Sequence, residues 1–142
     1  MSRRIVLFAV VLAFAVMLFP TATFASSRNS YVRKKWGAEI RSQLKRHKIY
    51  SKTRENQIIN IIAHESGGNP KARNGSCVGL LQFNNGWKHN YSNSYYKKHK
   101  IKGNNPSDDR LSAYWSIHRI VQVYKEGGDR SVARRGAATI NL

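Results

Sequence analysis

The sequence has little cysteine and little acid, and each shortage excludes something. Cys77 is the single cysteine in 142 residues, so no disulfide can form within the chain and the fold must stand on its hydrophobic core. Between Gly75 and Gly79 it reads as a small, half-buried filler. A thiol nucleophile would need a histidine beside it, and nothing in the sequence sets one there. Carboxylates are limited to Glu39, Glu55, Glu65, Asp108, Asp109, Glu126 and Asp129, seven against 25 lysines and arginines. No pair of histidines stands with an acid or cysteine at metal-ligand spacing, so neither a metal site nor a cofactor is expected. There is no repeat, no low-complexity tract and no second-domain boundary.

What is present begins with a targeting pattern. Ser2-Arg3-Arg4 is a short positive segment, Ile5 to Phe19 an unbroken apolar run, and Thr23-Phe24-Ala25 a small-residue exit. That order is the pattern of a secretory signal peptide over 1–25. Its fifteen apolar residues are short for a membrane span, which needs about 20. An uncleaved anchor is the alternative. No cysteine follows the run, which argues against lipoprotein processing. The remaining 26–142 suffices for one domain with a modest core.

Losing Arg3 and Arg4 takes the formal charge from +18 to +16. For an exported chain, such a charge points to polyanionic surfaces: teichoic acid, anionic lipid or the acidic wall itself. Nucleic acid is the usual partner of so basic a chain. Export and the lack of a recognised nucleic-acid motif argue against it. A solvated lysine face is the plainer alternative.

Val32, Trp36, Ile40 and Leu44 recur every four residues with basic residues between, which predicts an amphipathic helix over about 31–47. Ile58, Ile59, Ile61, Ile62 and Ala63 predict a second helix buried around most of its circumference, capped by Thr53. Ser66-Gly67-Gly68-Asn69-Pro70 should stop it, because glycine permits a left-handed closing turn and proline forbids continuation. Glu65 therefore falls in the last turn of a core helix. There the negative end of the helix dipole and partial burial both disfavour a carboxylate and raise its pKa. A carboxyl that holds its proton near neutrality is the donor that cleavage of a glycosidic bond requires. His64, one residue earlier, should point about 100° away.

Asn69 to Val78 reads as a loop and Gly79 to Phe83 as a buried helical turn. Asn84 to Ser107 is long, irregular and free of acids, with Trp87, Tyr91, Tyr95 and Tyr96 among asparagines and lysines. Aromatic rings stack on sugar faces and amides bond hydroxyl and acetamido groups, so this segment reads as a binding loop. A lysine-rich flap with its tyrosines tucked inward is the alternative. Asp108 to Lys125 predicts a further helix, with Leu111, Tyr114, Trp115, His118, Val121, Val123 and Tyr124 on its apolar face. Ser107 to Asp109 should cap it and Gly127-Gly128 should end it.

Glu65-Ser66-Gly67-Gly68-Asn69-Pro70, Ala72, Gly75-Ser76 and Gly79-Leu80-Leu81-Gln82-Phe83, in that order and spacing, resemble the catalytic core of soluble lytic transglycosylases. That family acts on bacterial peptidoglycan and belongs to the lysozyme-like superfamily. The clear resemblance spans Ile58 to Phe83 and weakens through Lys125. It implies a mainly α, small, single-domain lysozyme-like fold with a catalytic Glu65 at the end of a core helix. It also implies that Gln82 lines the groove and faces the substrate, a capped structural amide being the alternative; Ser66, Trp87, Tyr91 and Tyr114 are read as further substrate contacts. The family's long final helix is often followed by Gly-Gly-Trp. Here Gly127-Gly128-Asp129 stands instead, and an aromatic anchor is missing.

A glycosidase that hydrolyses usually needs two carboxylates roughly 5 to 9.5 Å apart across the bond. Glu55, ten positions before Glu65, lies about 15 Å away along the same helix. Asp108 and Asp109 read as caps, Glu126 and Asp129 flank the helix stop, and Glu39 sits at the edge of its stripe. A lytic transglycosylase avoids the second acid. The resemblance implies that one Glu protonates the oxygen between N-acetylmuramic acid and N-acetylglucosamine. It then takes the proton of the muramic 6-hydroxyl, which closes on C1 as a 1,6-anhydro end. An internal nucleophile at high effective concentration makes one acid sufficient. The expected protein is therefore an exported, monomeric lytic transglycosylase acting on peptidoglycan strands. A lysozyme-type muramidase and a non-catalytic cationic wall-binding protein are the alternatives.

Overall fold

The computed structural model describes the backbone of residues 26–141 and side chains through residue 127. The expected signal segment, 1–25, and the side chain of Asp129 lie outside the described residues. The protein is mainly helical. α1 covers residues 26–46, α2 Lys52–Ser66, α3 Asn93–Lys98 and α4 Ala113–Asn141. Two-residue strands, β1 at Arg73–Asn74 and β2 at Cys77–Val78, pair antiparallel between α2 and α3. Among the described residues no helix is long and apolar enough to cross a membrane.

The four-residue stripe on α1 does what its period demands. Val32, Trp36, Ile40 and Leu44 are all buried, and they meet Ile58, Ile59 and Ile62 of α2, each with no exposed surface. Trp115, Ile117 and Val121 of α4 complete the core, and Phe83 sets its ring edge-on to Trp115 at 5.7 Å. Burying an aliphatic side chain of this size contributes about 1.5–3 kcal/mol. The core therefore carries the fold without a crosslink.

α2 starts two residues earlier than its sequence suggests. Ser51, not Thr53, is the cap: its side chain accepts the Arg54 N–H at 3.1 Å. Glu55 in the first turn is fully buried, and Arg41 reaches it from α1 with Nε at 3.2 Å and Nη2 at 2.9 Å. The Tyr50 hydroxyl adds a third bond at 3.0 Å. Arg41 above all, and then Tyr50 and Lys52, overcome the burial penalty and hold Glu55 down at about 2. At its other end α2 closes as expected, with Gly67 left-handed at φ 60° and its N–H on Ala63 O at 3.2 Å.

Two expectations about α4 need correction. Asp108 and Asp109 do not cap it, because a 3-10 turn at Asp109–Leu111 intervenes and Ser112 Oγ takes the Trp115 N–H at 3.2 Å. Gly127-Gly128 does not end it either, and the helix runs on to Asn141. Glycine within a helix costs only about 1 kcal/mol relative to alanine, and no proline follows to forbid continuation. The segment expected to be irregular, Asn84 to Ser107, contains a 3-10 turn at Asn85–Trp87 and the whole of α3.

Candidate active site

Glu65 is the penultimate residue of α2, and its side chain is 10% exposed. Burial pushes its pKa up. His64, whose Nδ1 lies 3.7 Å from Glu65 Oε1, pulls it part of the way back. The neighbouring imidazole thus comes closer than a 100° separation on the helix suggests, although it is itself 70% exposed.

The chain around Glu65 is held at two points. Ser66 Oγ donates to Leu80 O at 2.7 Å and accepts the Gly68 N–H at 3.2 Å. Trp36 Nε1, from α1, donates to Gly68 O at 3.0 Å in a buried bond. A left-handed turn at Gly67 and Gly68, which only glycine takes cheaply, is thereby clamped between α1 and the loop after β2. Tyr114 leans edge-on against Trp36 at 5.9 Å, so it buttresses that clamp.

Gln82 has a different position from the one expected. It is buried, and its Nε2 donates to Ala72 O at 3.0 Å and Gly79 O at 2.9 Å. Its backbone is left-handed at φ 51°, a conformation that costs a non-glycine residue free energy and persists when the surroundings enforce it. Its amide nitrogen closes the turn that carries Leu80. The Val78 and Phe83 N–H groups each donate to the other's carbonyl, at 3.0 and 3.1 Å, and shut the same turn from below.

The aromatic segment is occupied largely with itself. Tyr91 and Tyr95 stack at 4.1 Å with 14° between planes, and Tyr95 meets His99 at 4.2 Å. Trp87 packs on Phe83 at 5.2 Å and lies under the Arg119 guanidinium at 4.7 Å. Tyr96 turns into the core, where its hydroxyl donates to Asp109 Oδ1 at 2.6 Å. Asp109 also accepts the Tyr91 N–H at 2.8 Å, so this fully buried acid anchors the segment from both sides. Trp87, Tyr91 and Tyr114 remain half-buried. Glu65, Ser66 and the turn bearing Gln82 are brought together. Among the described residues the Glu65 carboxylate makes a polar contact with His64 alone.

The other acids are engaged. Glu39, expected at a helix edge, is buried, with Gln43 Nε2 at 3.0 Å and Lys102 Nζ at 2.7 Å. Asp108 faces Arg110 through Nη2 at 2.8 Å and Nε at 3.1 Å, and that guanidinium holds its carboxyl below the usual range. Glu126 lies 3.8 Å from Arg119. Arg41 and Arg110, the partners that decide these roles, carried no signal in the sequence beyond their charge. Among the described residues no group of three or more His, Cys, Asp or Glu can hold a metal ion, and Cys77 is free and half-buried.

No protein-family model, no curated protein and no solved structure matches the chain.

Proposed function

We propose that this chain is a peptidoglycan-cleaving lytic transglycosylase with a lysozyme-like fold, and that Glu65 is its catalytic acid. One observation carries the reading. Of the described acids, Glu65 alone meets no ammonium, guanidinium or hydroxyl, and burial raises its pKa. A carboxyl so placed keeps a proton to give, whereas a carboxylate clamped by arginine does not.

In this reading Glu65 protonates the glycosidic oxygen between N-acetylmuramic acid and N-acetylglucosamine as the C1–O bond breaks. Its carboxylate then takes the proton of the muramic 6-hydroxyl while that oxygen bonds to C1. The proton returns to Glu65, no water is consumed, and one strand ends in a 1,6-anhydro ring. The engagement of Glu39, Glu55, Asp108 and Asp109 with other groups favours this course over hydrolysis, because hydrolysis would need one of them to activate water. The chain would be exported and monomeric and would work without metal or cofactor. Its charge, +18 over the full sequence and +16 once Arg3 and Arg4 are lost, would hold it to anionic wall polymers such as teichoic acid.

Digestion of purified walls followed by mass analysis of the fragments tests the reading. Anhydro ends, lighter than hydrolysed ends by one water or about 18 mass units, are expected from the parent chain. Glu65→Gln should release nothing, and Asp108→Asn should release the same fragments as the parent. Reducing ends as the main product, or full activity in Glu65→Gln, would overturn it.

A further inference from the structure

A cleft that Glu65 does not line lies between the β1–β2 hairpin, the Asn85–Trp87 turn and the Asp109–Leu111 turn. Its volume is about 460 Å³, within the roughly 300–1,000 Å³ of small-ligand sites. Its walls are polar: Arg73, Ser76, Asn85, Lys88 and Ser107 all line it, and all five are exposed. Arg73 and Lys88 have no acidic partner among the described residues.

The floor of this cleft is rigid and close to neutral. Arg110, 3% exposed, bonds Asp108 through Nε and Nη2, and its Nη1 donates to Ser76 O at 2.9 Å and Phe83 O at 3.0 Å. One guanidinium thus ties the hairpin, the turn after it and the Asp109–Leu111 turn together. It also neutralises the Asp108 carboxylate, the one acid in the lining. Gly79 lets these pieces approach, since a Cβ there would stand 1.9 Å from Arg110 O. Lys88 also acts at longer range on Asp108, but with Arg110 already bonded to that carboxylate the lining keeps a net excess of two positive charges. Hydroxyl and amide donors stand around them.

We propose that this cleft binds an oxyanion, a carboxylate or phosphate group, between Arg73 and Lys88, with Ser76, Asn85 and Ser107 as neutral donors. Either group presents the oxygen pair that a guanidinium bonds in parallel, and the lysine supplies a second point charge. A neutral sugar would leave both cations unanswered. Glu65 is not among the lining residues, so the anion is bound whether or not Glu65 cleaves a glycan, and the two readings fail separately.

The test is calorimetric or NMR titration of the full chain, at constant ionic strength, with inorganic phosphate, N-acetylmuramic acid and N-acetylglucosamine. Two double variants carry the same loss of charge: Arg73→Gln with Lys88→Gln in the cleft, and Lys34→Gln with Lys125→Gln on exposed helix positions far along the chain. Saturable binding of at least one acid is expected, weakened roughly tenfold or more in the cleft variant and less than about twofold in the control. Preference for phosphate would assign a phosphorylated ligand, and preference for N-acetylmuramic acid a carboxylate. Equal losses in the two variants would mean diffuse attraction and overturn the site. So would binding of N-acetylglucosamine as tight as that of the acids, or no saturable binding of either acid.

Discussion

The Ser66 hydroxyl donates to the Leu80 carbonyl at 2.7 Å, joining the end of α2 to the turn after β2. Glu65 is the residue before Ser66, so this bond anchors the backbone next to it. Ser66→Ala would leave the Leu80 carbonyl without that donor and should cost about 1–3 kcal/mol, read as a lower midpoint in urea. Any wall-cleaving activity should fall by more than the lost stability explains, because the carboxyl is released from its position.

Gly79 stands against Arg110 with no room for a side chain. Its φ is +91°, and a Cβ would lie 1.9 Å from Arg110 O, a backbone atom that cannot swing aside. Gly79→Ala should therefore cost at least about 2 kcal/mol. Gly75→Ala, with a similar φ of +57° but nothing within 4 Å, should cost less. Thermal melts of the two variants side by side separate the clash from the backbone strain they share.

Because burial raises the Glu65 pKa, the folded protein holds a proton there that the unfolded chain releases first. The sign follows: this contribution is fully present below the ordinary carboxylate range, near about 4.3, and is lost as pH rises through the raised value. Glu65→Gln abolishes the cost of charging. Its melting temperature should match the parent's at the acid end and exceed it at neutral pH. A gap that opens in the other direction would mean that Glu65 is stabilised as the carboxylate.

His118 gives the opposite slope. It is buried on α4, neither ring nitrogen has a hydrogen-bond partner, and His47 and His99 flank it at 5.6 and 5.5 Å between ring centres. Burial, then these two imidazoles, then Arg119 and Arg46, push its pKa down to about 4. Stability is fully present above the unfolded value near about 6.5 and is lost as pH falls toward 4. His118→Leu fills the same apolar site without a titrating group. Between pH 7 and pH 5 its melting temperature should fall by less than the parent's, which circular dichroism melts at the two pH values measure.

The sequence by itself determined what depends on neighbours a few positions away. The four-residue spacing of Val32, Trp36, Ile40 and Leu44 could be buried only as one face of a helix. Ser66-Gly67-Gly68 could only end one, which placed Glu65 in a last turn before any tertiary contact was known. Choices between distant partners belonged to the tertiary structure. Glu55 became a buried anion because Arg41 faces it from another helix, and Asp109 an anchor for Tyr91 and Tyr96 rather than a helix cap. Gln82 turned to Ala72 and Gly79. Gly127-Gly128, a stop by local rule, stayed helical. Hydrophobic period and glycine sterics act within a turn of chain, so they are written locally. A buried polar group must be satisfied by whatever donor the packed fold brings near, and in this protein that donor often comes from another segment of the chain.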